Sequence, residues 1–176
     1  MRTPYFASLL IVLSLTTADA LAQKDSQRMA EVLCAGDPEC LAMARHRLTA
    51  EGLRKMFTVD RELETLMKER PDLQTRMDEL AKSIDPQRRL GKVAFAAQVH
   101  ERVPEIAQLF RRHNTTAREY LMTHAVAMVT AMADDSFPGD EAMTPALKFW
   151  RSMDPALKAE ADAWKKMRGY DKGLNR

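Results

Sequence analysis

The chain has 176 residues, with 27 Lys and Arg against 25 Asp and Glu and a formal net charge of +2. A length of this order predicts one domain. So balanced a charge gives no electrostatic basis for binding nucleic acid or an anionic membrane, and we expect neither as a partner.

The N-terminus has the pattern of a cleaved signal peptide. Arg2 gives a short positive segment, residues 5–17 carry no charge, and residues 20–22 form a small-x-small cleavage site. A membrane anchor is the alternative, but the apolar run is short for a membrane span. We predict a signal peptide over 1–22 and an exported domain over 23–176, periplasmic or secreted, with no stable membrane anchor after cleavage.

The chain has two cysteines, Cys34 and Cys40, and an even count in an exported protein predicts a disulfide. The Gly-Asp-Pro motif between them combines a helix stop, an N-cap and a first-turn residue. The bridge would therefore join a short helix over 25–35 to the next one over 38–48. A redox pair or a metal site is the alternative, but it usually requires Cys-x-x-Cys or further ligands nearby.

The rest of the chain has helical periodicity and no strand pattern. A long helix is predicted after Thr49, ending or kinking at Pro71, and another helix runs to Ser83. The inward positions of the long helix are Leu53, Met56, Val59 or Asp60, Leu63, Leu66 and Met67. The apolar pattern of 90–110 contains Pro104, so we expect a break close to that residue.

The segment Thr116–Ala133 is predicted to be the central helix. Thr116 and Glu119 have the spacing of a capping box, in which each side chain caps the other's backbone amide. No charged residue occurs from Tyr120 to Ala133, and apolar residues occur on nearly every side of this segment. A helix that is apolar all round belongs in a protein interior.

An acidic loop follows, from Asp134 to Glu141, and it includes Phe137. Loops on rigid scaffolds often carry recognition, so this loop is a possible contact site; a solvated connection is the alternative. The last helical region has a regular inward stripe, and an internal Asp-Pro pair favours two helices in series. The stripe is Leu147, Trp150, Met153, Leu157, Ala161, Trp164 and Met167, and Gly169 ends the region.

The central helix also carries the clearest candidate site. His124, Met128 and Met132 have i, i+4 and i+8 spacing, and imidazole with thioethers suits copper. A non-covalent haem bound through His124 is a second possibility. The alternative is structural: Met fills irregular cores, and a histidine here is typically bonded to a neighbouring carbonyl or hydroxyl, such as that of Tyr120 or Thr123.

No motif of a nucleophile elbow, a phosphate loop, a zinc protease or a catalytic triad occurs, so we predict no catalytic residues and no enzyme activity. The basic cluster Arg111-Arg112-His113 is interpreted as the polar C-terminal turn of a helix, where cations suit the helix dipole.

Three short segments resemble those of uncharacterised exported helical proteins of Gram-negative bacteria. They are residues 103–106 (Val-Pro-Glu-Ile), 116–120 (Thr-Ala-Arg-Glu-Tyr) and 147–150 (Leu-Lys-Phe-Trp). The similarity covers roughly residues 49–167 and implies compartment and fold, without an activity, a cofactor or a site. Neither the cysteine pair nor His124 is part of the pattern.

Together these features predict an all-α, single-domain bundle of about five to seven helices around Thr116–Ala133. The predicted function is that of an exported, non-catalytic binding or accessory protein for an unknown protein or small-molecule ligand, without a cofactor. The alternative function is a periplasmic metal- or cofactor-binding bundle that uses His124, Met128 and Met132.

Overall fold

A computed structural model describes residues 37–84, 91–136 and 144–170, without the side chains of residues 135 and 136. Eight helices lie within these ranges, and no strand occurs there. The all-α prediction is therefore confirmed for this part of the chain. None of the helices in these ranges is both long enough and apolar enough to cross a membrane.

The helices form two compact units along the chain. The first unit is residues 51–124, and the described residues 37–50 and 125–170 belong to the second unit. In chain order the helices are α1 (Pro38–Arg45), α2 (Ala50–Glu69), α3 (Asp72–Ser83), α4 (Lys92–Glu101), α5 (Pro104–Arg112), α6 (Ala117–Ser136), α7 (Pro145–Arg151) and α8 (Pro155–Arg168). Helix α6 supplies residues 117–124 to the first unit and residues 125–136 to the second.

Helix α1 begins where the Gly-Asp-Pro motif predicts. The Asp37 carboxylate accepts hydrogen bonds from the backbone amides of Glu39 (2.8 Å) and Cys40 (3.2 Å), and a proline opens the helix. Cys34, the helix predicted over 25–35 and the signal peptide lie outside the described residues. The Cys34–Cys40 disulfide and the cleavage therefore stay predictions.

The break predicted close to Pro104 is present. Helix α4 ends at Glu101 and α5 begins at Pro104, whose ring suits the first turn of a helix because no intrahelical donor is needed there. The apolar face of α5 is buried as predicted, at Ile106, Leu109 and Phe110. The break thus lets two short helices replace one long helix in the first unit.

Helix α6 begins one residue after Thr116, as predicted. The Thr116 hydroxyl oxygen accepts a hydrogen bond from the Glu119 amide (3.0 Å), which is one half of the capping box. The Glu119 carboxylate accepts instead from the Thr115 hydroxyl (3.1 Å). Every residue from 120 to 134 is buried or half-buried, which agrees with the absence of charge from Tyr120 to Ala133.

The last two helices of the second unit also follow the predicted pattern. The side chains of Thr144 and Asp154 cap α7 and α8 by accepting from the amides of Leu147 (3.1 Å) and Leu157 (2.9 Å). The inward stripe is buried through Trp164 except at Met153, which is half-buried, and its predicted last member, Met167, is 40% exposed. Met167 lies in the final turn of α8, next to the left-handed Gly169, where the helix ends.

Candidate functional site

Two elements of the first unit, α2 and α5, lie side by side and run antiparallel. Glu62 Oε2 accepts a hydrogen bond from Arg112 Nη2 (3.2 Å), and Arg70, just beyond α2, lies 3.6 Å from Glu105. As the residue numbers rise along α2, the residue numbers of their partners on α5 fall, so the two helices point in opposite directions. Long charged side chains connect the helices at both positions.

A groove of about 490 Å³, open to solvent, lies between α2 and α5. The wall on α2 is formed by residues that follow Asp60, and none of the residues of α2 after Asp60 is fully buried. The lining residues are Arg61, Glu62, Thr65, Leu66 and Glu69 from α2, and Glu105, Gln108 and Arg112 from α5. The groove therefore combines charged walls with one apolar side chain.

One end of the groove is defined by Glu62. Its Oε2 accepts from Arg112 (3.2 Å), and its Oε1 lies 3.0 Å from His113 Nε2. Both partners stand at the C-terminal end of α5, which agrees with the interpretation of the basic cluster as a polar last turn. The carboxylate thereby connects the middle of α2 to the end of α5.

The other end is defined by Glu105, in the first turn of α5. Its Oε1 accepts from Arg76 Nη1 (2.9 Å) and lies 3.6 Å from Arg70, whose guanidinium makes two 2.8 Å hydrogen bonds with Asp72. The hydrogen bond from Arg76 lowers the pKa of the Glu105 carboxyl, and that from Arg70 lowers the pKa of Asp72. These acids are therefore ionised at neutral pH, and the ion pairs connect α3 to α5.

The first unit contains a second polar cluster, centred on a carboxylate that is sealed from solvent. The Asp60 side chain is 0% exposed and accepts a hydrogen bond from the Tyr120 hydroxyl. His124 Nε2 lies 3.9 Å from Asp60 Oδ1, and the His124 side chain is 20% exposed. A buried carboxylate is tolerated when donors surround it, so this cluster has the features of a structural contact between α2 and α6.

Aromatic rings continue from this cluster through the first unit. The ring centroids of His124 and Tyr120 are 5.8 Å apart, those of Tyr120 and Phe110 5.4 Å, and those of Phe110 and His100 6.0 Å. Burial lowers the pKa of His100, and its Nδ1 is buried without a hydrogen-bond partner among the described residues. His100 is thus a neutral packing residue at neutral pH.

The three residues predicted to bind a metal, His124, Met128 and Met132, are all half-buried positions of α6. His124 belongs to the first unit, and the two methionines belong to the second. Within the described residues no group of three or more His, Cys, Asp and Glu side chains is placed to hold a metal ion. The copper-type site and the haem site therefore stay predictions.

The structure adds a contact of His124 that the sequence analysis does not predict. The Asp60 carboxylate of α2 lies 3.9 Å from His124 Nε2, and the ring of Tyr120, one of the expected neighbours, also lies beside it, with the ring centroids 5.8 Å apart. The sequence contained a signal, because Asp60 occupies a position that the helical period allows to face inward. The pairing of two distant helices could not be read from that period.

The acidic loop begins later than predicted. Asp134 lies within α6, half-buried, and its carboxylate accepts from Arg151 Nε (2.9 Å) and lies 3.7 Å from Lys158 Nζ. These two cations hold Asp134 in the second unit, so it is a structural ion-pair partner rather than the start of a contact loop. Phe137 and the rest of the loop lie outside the described residues.

No protein-family model matches this chain, and comparisons with curated proteins and with solved structures found no significant similarity. The resemblance to uncharacterised exported helical proteins therefore stays a prediction. Any functional hypothesis has to rest on the sequence and on the geometry of the two units.

Proposed function

We propose that this chain is an exported, non-catalytic helical binding protein whose ligand occupies the groove between α2 and α5. The observation that carries the proposal is the groove itself. Its volume of about 490 Å³ falls in the range of small-molecule sites, roughly 300–1,000 Å³. The non-catalytic part of the proposal rests on the absence of a catalytic motif in the sequence.

The ion pairs at the two ends support a groove that is present before a ligand binds. Glu62 holds the end of α5, and Glu105 is held by arginines of the α2–α3 region. Surface ion pairs contribute little stability, about 0–1 kcal/mol each, but they restrict side-chain positions. A restricted groove loses less conformational entropy when a ligand binds.

The experiment compares two tryptophan variants in a screen against a library of polar fragments. Gln108→Trp places an indole in the groove, and Gln74→Trp places one on α3, at an exposed glutamine outside it. Fragments that raise the melting temperature of the parent chain should lose that effect in Gln108→Trp and keep it in Gln74→Trp. A library without a stabilising fragment, or fragments that act equally on both variants, would contradict the proposal.

The proposal extends to compartment and architecture. The chain is exported to the periplasm or secreted after cleavage of residues 1–22, its helices form a bundle around α6, and Cys34 and Cys40 form a disulfide. Mass spectrometry of the denatured, non-reduced protein from an exporting host tests the cleavage and the disulfide. The expected mass is that of residues 23–176 minus two hydrogens, and a mass including residues 1–22 or two free thiols would contradict the corresponding part.

The alternative function is metal binding through His124, Met128 and Met132. One observation favours it: Asp60 lies 3.9 Å behind His124 Nε2, and a carboxylate behind an imidazole commonly orients metal-binding histidines. Native mass spectrometry after addition of Cu(I) distinguishes the two functions. Bound copper that is lost in His124→Ala would support the alternative, and an unchanged mass would exclude it.

A further inference from the structure

Two opposite charges in the groove lack ionic partners. Arg61 donates only a long hydrogen bond to the Thr58 hydroxyl (3.5 Å), and it has no carboxylate partner within the described part of the chain. Glu69 likewise has no cationic partner there, whereas the other charged residues lining the groove are paired. The groove therefore offers one unpaired cation and one unpaired anion to a ligand.

The spacing of these two charges is set by α2. Glu69 follows Arg61 by eight positions, and a rise of 1.5 Å per residue places their backbones about 12 Å apart along the helix. Thr65 and Leu66 lie between them on the same wall, and Gln108 lines the opposite wall. A complementary ligand would carry an anionic and a cationic end about 10 Å apart, with a polar backbone and an apolar group between them.

We propose that the groove binds a short zwitterionic peptide of about three residues, with its terminal carboxylate at Arg61 and its terminal amine at Glu69. An extended peptide spans about 3.3–3.6 Å per residue, so three residues cover about 10 Å. Gln108 can donate to and accept from the peptide backbone. The Thr65 hydroxyl, which already donates to the Arg61 carbonyl (3.0 Å), can accept from it, and the central side chain packs on Leu66. This inference rests on the proposed binding function and names the ligand class of the same groove.

The test is a titration of the full chain, purified from an exporting host, with the peptide Ala-Leu-Ala. Binding is followed by calorimetry or amide NMR at low ionic strength, where exposed charge pairs are least screened. The same peptide is then used with an acetylated N-terminus or an amidated C-terminus. Loss of one exposed charge contact, worth about 1 kcal/mol, weakens binding about fivefold.

Charge variants assign each end of the peptide. In Glu69→Gln, acetylation of the amine should no longer weaken binding, and in Arg61→Gln, amidation of the carboxylate should no longer do so. Glu79→Gln on α3 and Arg118→Gln on α6 are matched controls, because both residues are exposed and lie outside the groove. These controls should keep the full effect of both terminal modifications.

Two outcomes overturn the inference. One is the absence of saturable binding up to about 10 mM peptide, a concentration at which a ligand of 1 mM affinity would be largely bound. The other is binding in which Glu69→Gln and Arg61→Gln respond to the modifications as the parent chain does. If peptide binding fails while fragments still lose binding in Gln108→Trp, the peptide inference is wrong and the binding function stands.

Discussion

The two halves of helix α2 use polar residues in opposite ways. In the half that ends at Asp60, the Asp60 carboxylate is fully buried and accepts a hydrogen bond from Tyr120, and four apolar residues before it on the helix are buried as well. In the second half, Glu62 and Glu69 line an open groove. The difference shows that burial decides the role: the sealed carboxylate contributes to folding, while the exposed charges remain accessible to a ligand.

The largest expected difference between the halves concerns their apolar residues. Phe57 is 1% exposed, so Phe57→Ala should lower the free energy of unfolding by about 3–5 kcal/mol, from lost burial and the cavity left behind. Leu66 is half-buried on the groove wall, so Leu66→Ala should lower it by less than about 1 kcal/mol. Urea unfolding of both variants measures the difference. Similar losses of unfolding free energy would contradict the division of α2 into a buried half and an exposed half.

The second prediction concerns the sealed cluster. Asp60→Ala should lower the free energy of unfolding by about 3 kcal/mol and Tyr120→Phe by about 2 kcal/mol, because each removes the buried hydrogen bond between Tyr120 and Asp60. The double variant should lose less than the sum, since the two residues share one hydrogen bond. Urea unfolding of the four proteins gives the coupling, and strict additivity would show that the contact contributes nothing.

The third prediction is a pH dependence that arises from His100. Because burial lowers its pKa below the ordinary value of 6.5, the unfolded chain binds the proton more readily than the folded chain. Stability is therefore fully present above pH 6.5 and falls as the pH drops below it, by at most about 1.4 kcal/mol per pH unit. His100→Phe, measured by urea unfolding at pH 7 and pH 5, should lose less stability on acidification than the parent chain.

Glu105 provides the comparison for that experiment. The hydrogen bond from Arg76 lowers its pKa below 4.5, so its contribution is present above pH 4.5 and is lost as the pH falls below that value. Glu105→Gln should therefore alter the pH dependence only in the more acidic range. A His100→Phe variant with the pH dependence of the parent chain between pH 7 and 5 would contradict the assignment to His100.

The smallest expected effect on stability lies at the groove itself. Glu62→Gln should lower the free energy of unfolding by less than about 1 kcal/mol, because Arg112 and the Glu62 side chain are both substantially exposed. Exposed ion pairs are also screened, so the difference should shrink further in 1 M salt. A loss comparable to that of Asp60→Ala in urea unfolding would show that the groove end is part of the core.

The sequence predicts the elements well because their signals are local. The caps at Thr116 and Asp154 and the break at Pro104 depend on residues within one turn, and each is where the pattern indicates. The contact of Asp60 with Tyr120 and the groove between α2 and α5 depend on which helices become neighbours. That pairing is set by tertiary packing, so the inward positions of α2 could be predicted but not the helices that they contact.

The most direct test of the central claim is amide NMR of the full chain during titration with the fragments that stabilise it. If α2 and α5 form the ligand site, the chemical-shift changes should concentrate at residues 61–69 and 105–112. Residues around the sealed cluster, including Asp60 and Val59, should change little. Changes concentrated in the second unit, or scattered over the whole chain, would contradict the groove as the functional site.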